Sequence, residues 1–211
     1  MELKRKKFNI SLLGDAEVGK SCLCLYETEE KFDRNMLLTL GVDTFLCKKK
    51  FEQNELKFKL FDNPGRELFR SLLINWNILS DGYLLIFSID NRNSFENINL
   101  YISLINNNTD IKKKVLFLVG NRIDLERKVS KAEAEEFAKK NNLKYFETSC
   151  KTGFGVHEVF NNIFNDIYEL NKKYIAPIYL KKDFENNWNN KKESNCIQLY
   201  KFTNLSKFFS Y

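Results

Sequence analysis

Eight consecutive residues carry the strongest chemistry in the chain: Gly14-Asp15-Ala16-Glu17-Val18-Gly19-Lys20-Ser21, a G-x-x-x-x-G-K-S spacing. They follow Phe8-Asn9-Ile10-Ser11-Leu12-Leu13, a short apolar run that reads as a buried strand. A strand running into a glycine loop and then a helix gathers unpaired backbone N–H groups around a polyphosphate. In that setting the Lys20 ammonium neutralises β- and γ-phosphates, and the Ser21 hydroxyl ligates Mg²⁺. The plainer alternative is an ordinary strand–turn–helix corner, which three further motifs in the matching order disfavour.

The first of these is Asp62-Asn63-Pro64-Gly65, at the end of another strand-like segment. An aspartate there can hold Mg²⁺ through a water, and the Gly65 N–H can reach a γ-phosphate; a simple turn is the alternative. The second is Asn121-Arg122-Ile123-Asp124. A carboxylate at Asp124 can accept from N1–H and the exocyclic amine of guanine together, a pairing that adenine does not offer. The third, Glu147-Thr148-Ser149-Cys150-Lys151, follows the last strand-like run and can place a backbone N–H on the guanine oxygen. Each string alone is weak, and a polar loop would account for it. Their specificity comes from sharing one order and one place, the carboxyl ends of strands.

The elements that must position these residues alternate along the chain. Strand-like segments occupy 8–13, 44–51, 56–61, 82–89, 115–119 and 144–146, with Glu52-Gln53-Asn54-Glu55 as a hairpin turn. The runs 82–89 and 115–119 are continuously apolar, as in central parallel strands covered on both faces. Helical patterns lie at 20–26, 67–79, 94–107, 131–141 and 156–173, with Ser94 and Ser130 as N-cap candidates. This predicts an α/β fold: a mostly parallel six-stranded sheet with helices on both faces and ligand at the strands' carboxyl ends.

Composition narrows the class. The 211 residues are 43% hydrophobic and 14% aromatic, enough for one α/β domain with a proper core and a tail. No apolar run is long enough to span a membrane, and the start of the chain lacks the apolar region of a signal peptide. Cys22, Cys24, Cys47, Cys150 and Cys196 fall in no metal or disulfide spacing, and His157 is the single histidine. They read as reduced thiols of a cytosolic protein. The net charge of +6 is carried at the ends. Lys4, Arg5, Lys6 and Lys7 face only Glu2, and from Lys172 onward eight lysines face Asp183, Glu185 and Glu193. Basic ends of this kind are candidates for peripheral contact with anionic lipid, with solvated lysines on mobile ends as the alternative; nucleic acid is not an expected partner.

With these motifs in place, residues from about 8 to 171 resemble a Ras-superfamily small GTPase, the P-loop G-domain fold, and within it the Rab branch. Thr39-Leu40-Gly41-Val42-Asp43 resembles the end of a Rab first switch, and 61–70 the second switch. The organisation implied is a basic extension at 1–7, a G domain at 8–173 and a divergent tail at 174–211. The resemblance implies that GTP or GDP is held by Asp15, Ala16, Glu17, Val18, Gly19, Lys20, Ser21 and Cys22 of the phosphate loop. Phe32, Thr39 and Gly65 would join from the switches, and Asn121, Arg122, Asp124, Ser149, Cys150 and Lys151 from the base-recognition loops. Mg²⁺ would fall to Ser21, Thr39 and Asp62, and catalysis to Lys20 and the altered position Arg66. Effectors, exchange factors and GTPase-activating proteins would bind through 33–47 and 61–80. The role implied is a GTP/GDP switch in vesicle traffic, cytoplasmic or peripheral on endomembranes.

Several residues depart from that pattern. Arg66 stands where a glutamine usually orients the attacking water; an arginine only donates hydrogen bonds, so slow hydrolysis is expected. The opposing idea is that Arg66 stabilises transition-state charge as its own arginine finger. Ala16 and Glu17 occupy positions that are usually glycine and crowd the space near the γ-phosphate. Pro64 replaces an alanine and pushes Asn63 toward extended backbone, and Arg122 replaces a lysine. Thr44, Phe61 and Trp76 alter the partner surface. The chain ends Leu205-Ser206-Lys207-Phe208-Phe209-Ser210-Tyr211 with no acceptor cysteine, so a protein without a prenyl anchor is expected. A non-hydrolysing pseudo-GTPase that holds nucleotide as a structural ligand is the second reading.

Overall fold

The computed structural model describes residues 6–34, 36–52, 54–66, 80–108, 110 and 113–175. The expected helix at 67–79 with Trp76, the first five residues, Cys196 and the tail from 176 lie outside the described residues.

Six strands form one sheet in the order β2-β3-β1-β4-β5-β6. They are β1 (Lys7–Leu13), β2 (Asp43–Phe51), β3 (Asn54–Asp62), β4 (Gly82–Ser88), β5 (Val115–Asn121) and β6 (Lys144–Glu147). Only β2 runs antiparallel, paired with β3 from Asp43↔Asp62 to Phe51↔Asn54. The hairpin closes more tightly than the four-residue turn expected from sequence. Glu52 takes a left-handed φ of 50°, the conformation that short hairpin turns demand. Strands β4 and β5 are buried along their whole length, as their unbroken apolar runs require.

Helices α1 (Lys20–Glu29) and α5 (Val156–Asn171) cover one face. The other face carries α2 (Arg92–Glu96), α3 (Ile98–Asn108) and α4 (Lys131–Lys140). Two apolar clusters result, one on each side of the sheet. Ser130 caps α4, accepting from the Glu133 N–H at 3.2 Å. Ser94 does not cap its helix. The single helix expected over 94–107 begins at Arg92 with Asn91 as its cap and breaks at Asn97. Asn91 lies three residues upstream of Ser94 and accepts from its N–H, while the Ser94 hydroxyl turns inward to the Asn91 carbonyl at 2.7 Å.

The larger core is aromatic. Phe58 is fully buried, stacked on Phe164 at 4.3 Å and on Phe8 at 5.7 Å, with Phe51 tilted beside it at 6.1 Å. Truncating it leaves a hole bounded by rigid strands on one side and α5 on the other. Phe58→Ala is therefore expected to lose about 3–5 kcal/mol of unfolding free energy, read from the shift of the urea midpoint.

Candidate functional site

The carboxyl ends of the parallel strands open on a cleft of about 600 Å³, within the range of a nucleotide-sized ligand pocket. On its floor, the loop after β1 turns into α1 through Gly19, which takes a φ of +94°. A Cβ there would lie 2.3 Å from Asn121 Nδ2, so only glycine fits.

Lys20 folds back over this loop. Its ammonium donates to the carbonyls of Gly14 at 3.0 Å and Asp15 at 2.6 Å and is 6% exposed. Burial lowers its pKa to about 8, with Asp62 and Asp15 pulling the other way. Three oxygen-bearing side chains from distant segments meet beside it. Ser21 Oγ donates to Asp62 Oδ2 at 2.5 Å and lies 3.0 Å from Thr39 Oγ1, and Thr39 Oγ1 donates to the same carboxylate oxygen at 3.3 Å. Asp62 is buried, which raises its pKa against the opposing pull of Ser21, Lys20 and Thr39. Its Oδ1 has no hydrogen-bond partner among the described residues. Two hydroxyls and one carboxylate with an unsatisfied oxygen are a hard donor set, which fits Mg²⁺, an ion that takes few protein ligands and completes its shell with phosphate and water.

Across the cleft, Asn121 ties the two halves of the site together. Its Nδ2 donates to the Val18 carbonyl at 2.9 Å, and its Oδ1 accepts from the Thr148 hydroxyl at 3.0 Å. Arg122 then takes a left-handed φ of 66°, turning the chain toward Asp124. The Asp124 carboxylate accepts from Ser149 Oγ at 2.6 Å and has Lys151 Nζ at 3.8 Å. This leaves one edge of the carboxylate oriented by a neighbour from the loop after β6.

Most of the residues expected from sequence line the cleft. From the phosphate loop and α1 come Ala16, Glu17, Gly19, Lys20, Ser21 and Cys22; from the switches, Phe32, Thr39, Gly65 and Arg66. The base side contributes Asn121, Arg122, Asp124, Cys150 and Lys151. Asp15, Val18, Asp62 and Ser149 stand behind that lining. The Asp15 carboxylate faces away, accepting from Asn97 Nδ2 at 2.7 Å and from the Tyr101 hydroxyl at 3.1 Å. Asn97, Tyr101 and Thr148 are supports that the sequence reading missed; the first two carry no local signal, being 82 and 86 residues from Asp15. Arg34, Met36, Leu37 and Leu38 also line the cleft, from a loop whose composition shows only polarity and a few apolar residues.

Residues 9–169 match the family model described as the Ras family. The chain belongs to the Ras family. Among its curated relatives, the Ras-related protein Rab-13 of Mesocricetus auratus is 33% identical over 162 residues, covering 76% of this chain and 79% of the relative. The Bos taurus protein of the same name is 32% identical over the same span. The chain is thus a divergent, Rab-like GTPase of the Ras superfamily. Of the departures named from sequence, Ala16, Glu17, Arg66 and Arg122 line the cleft. Glu17, exposed, holds a left-handed φ of 63°, a conformation that costs a non-glycine residue about 1 kcal/mol. Gly65 packs so closely on the phosphate loop that a Cβ would lie 2.3 Å from Ala16 N. Arg66, next in the chain, is exposed and has no hydrogen-bond or ion-pair partner among the described residues.

Asn121→Ala leaves the Val18 carbonyl and the Thr148 hydroxyl without their partner. The expected result is a loss of about 1–3 kcal/mol of stability and faster GDP release, measured by thermal melting and by chase of a fluorescent GDP analogue.

Proposed function

We propose that this Rab-like protein is a GTP/GDP switch in membrane traffic whose intrinsic hydrolysis is slow. The observation that carries the reading is the pairing of a complete phosphate and cation apparatus with an altered catalytic position. Lys20, Ser21, Thr39 and Asp62 meet at one end of the cleft and Asp124 with Ser149 at the other, while Arg66 stands at the mouth.

In this mechanism Asp124 accepts from the guanine edge, and Ser149 keeps the carboxylate aimed. Lys20 leaves the Gly14 and Asp15 carbonyls and turns its ammonium to the β- and γ-phosphates, a stronger, charge-assisted partner. Mg²⁺, when bound through Ser21, Thr39 and Asp62, supplies neutralising charge to the phosphate oxygens. Thr39, reaching the cleft from the loop before β2, changes partners with the γ-phosphate and so couples that loop to the nucleotide. Hydrolysis then needs an acceptor that orients water. The Arg66 guanidinium has donors only, which supports a rate below that of relatives carrying glutamine. The same residue, with Ala16 beside the γ-phosphate position, favours the second reading: a pseudo-GTPase that holds nucleotide structurally and recruits partners.

Single-turnover hydrolysis of bound GTP separates the two. Arg66→Gln is expected to speed phosphate release about tenfold from a slow wild-type rate, on the order of 10⁻⁴ s⁻¹ or below. An equal rate in both proteins would discard the assignment of Arg66. Base recognition is tested separately: Asp124→Asn is expected to weaken the preference for GTP over xanthosine triphosphate by about 100-fold or more, measured by competition for the fluorescent nucleotide. Unchanged discrimination would remove Asp124 from the base site.

A further inference from the structure

The β2–β3 hairpin carries cations that the nucleotide site does not use. Lys48 of β2 stands directly opposite Lys57 of β3, and Lys57 is in register with Lys7 of β1. Register partners share a face, so three lysines stand abreast at the roughly 5 Å spacing of neighbouring strands. The adjoining row places Leu46 beside Lys59, and the row toward the turn pairs Lys50 with Glu55. Lys48, Lys50 and Lys59 are exposed, and Leu46 is 57% exposed between them. The side chains of Lys48, Lys50 and Lys57 have no hydrogen-bond or ion-pair partner among the described residues, and the Lys59 ammonium has only the Phe61 ring, 4.8 Å away.

Like charges directly opposite one another weaken a sheet. Lysines on an exposed edge strand can be explained as a guard against edge-to-edge pairing, and that accounts for Lys48 and Lys50. It does not account for Lys57 and Lys59, because β3 is paired on both sides.

Three basic segments meet at this end of the sheet. The Lys57 N–H donates to the Lys6 carbonyl at 3.0 Å, which brings Lys6 and Lys7 to the lysine row. Lys172, just past α5, lies 3.3 Å from Glu52 in the hairpin turn, and Phe51 stacks on Tyr168 at 4.5 Å. These charges are spread over a sheet face and the chain segments beside it, a broad cationic surface complementary to an anionic bilayer.

We propose that the exposed β2–β3 face, with Lys6 and Lys7 beside it, is a docking surface for an anionic lipid membrane. Lys57 and Lys48 lie at the amino end of β1, about 20 Å of strand away from the phosphate loop, so a docked protein keeps its cleft open. The surface does not depend on nucleotide turnover, and its test reads lipid rather than GTP.

The test is sedimentation of the full chain, loaded with GDP, with vesicles of phosphatidylcholine containing about one third phosphatidylserine. Binding is expected to these vesicles, to be absent with phosphatidylcholine alone, and to fall at high salt. Lys48→Glu/Lys57→Glu should lower the partition coefficient by about tenfold or more, with GDP release and thermal melting unchanged. Lys131→Glu, on α4, should bind as wild type. Equal binding to neutral vesicles, or a double variant that binds as tightly as wild type, overturns the proposal. So does polyglutamate displacing the protein from vesicles at stoichiometric amounts, which would make an acidic protein the partner.

Discussion

The amide of Asn121 is the constraint on which the site depends. Its one side chain bonds the phosphate loop through Val18 and the base-recognition segment through Thr148. It is buried at the end of β5, where leaving either partner unpaired is costly. The parallel sheet brings the loops after β1, β5 and β6 to the same end, but parallel pairing alone leaves their separation soft. The amide turns that neighbourhood into a fixed distance between the polyphosphate end and the base end. Gly19 follows from it, since any Cβ would displace the amide nitrogen.

Electrostatics at the phosphate end are arranged around charges from outside the chain. Burial pulls Lys20 toward its neutral form and Asp62 toward its protonated form. Lys20 meanwhile rests on two carbonyls, and one oxygen of Asp62 has no partner. A polyphosphate and a divalent cation are the species that would satisfy both at once. Asp15 shows how the loop itself is anchored. Its carboxylate is taken up by Asn97 and Tyr101, leaving its carbonyl as a rest position for Lys20. The break between α2 and α3 falls at Asn97, so a discontinuity in the helix supplies the residue that steadies the phosphate loop.

Two groups of residues stand at opposite ends of the same sheet. Glu17 and Arg66 flank the contact between Gly65 and the phosphate loop. The lysine rows lie at the opposite end, level with the amino end of β1. The two features are separate in space and can vary independently.

The amino-acid sequence by itself determined the fold class, the order of the motifs and the kind of chemistry. Phosphate binding uses contiguous residues whose spacing is set by a single turn, and strands buried on both faces must be apolar throughout. The candidate base-reading carboxylate was legible for a similar reason: Asp124 stands three residues past the end of β5. Tertiary structure alone decided which side chains support the site. Asp15 reads from sequence as a phosphate-loop residue, yet its carboxylate serves helices more than 80 positions away. Ser94 reads as a cap, yet Asn91 takes that place because capping is a competition among neighbours that only the packed backbone resolves. The row Lys48, Lys57 and Lys7 is invisible in a linear chain, since strand register, fixed by burial of Phe8, Leu56, Phe58 and Leu60 on the opposite face, is what places three distant lysines side by side.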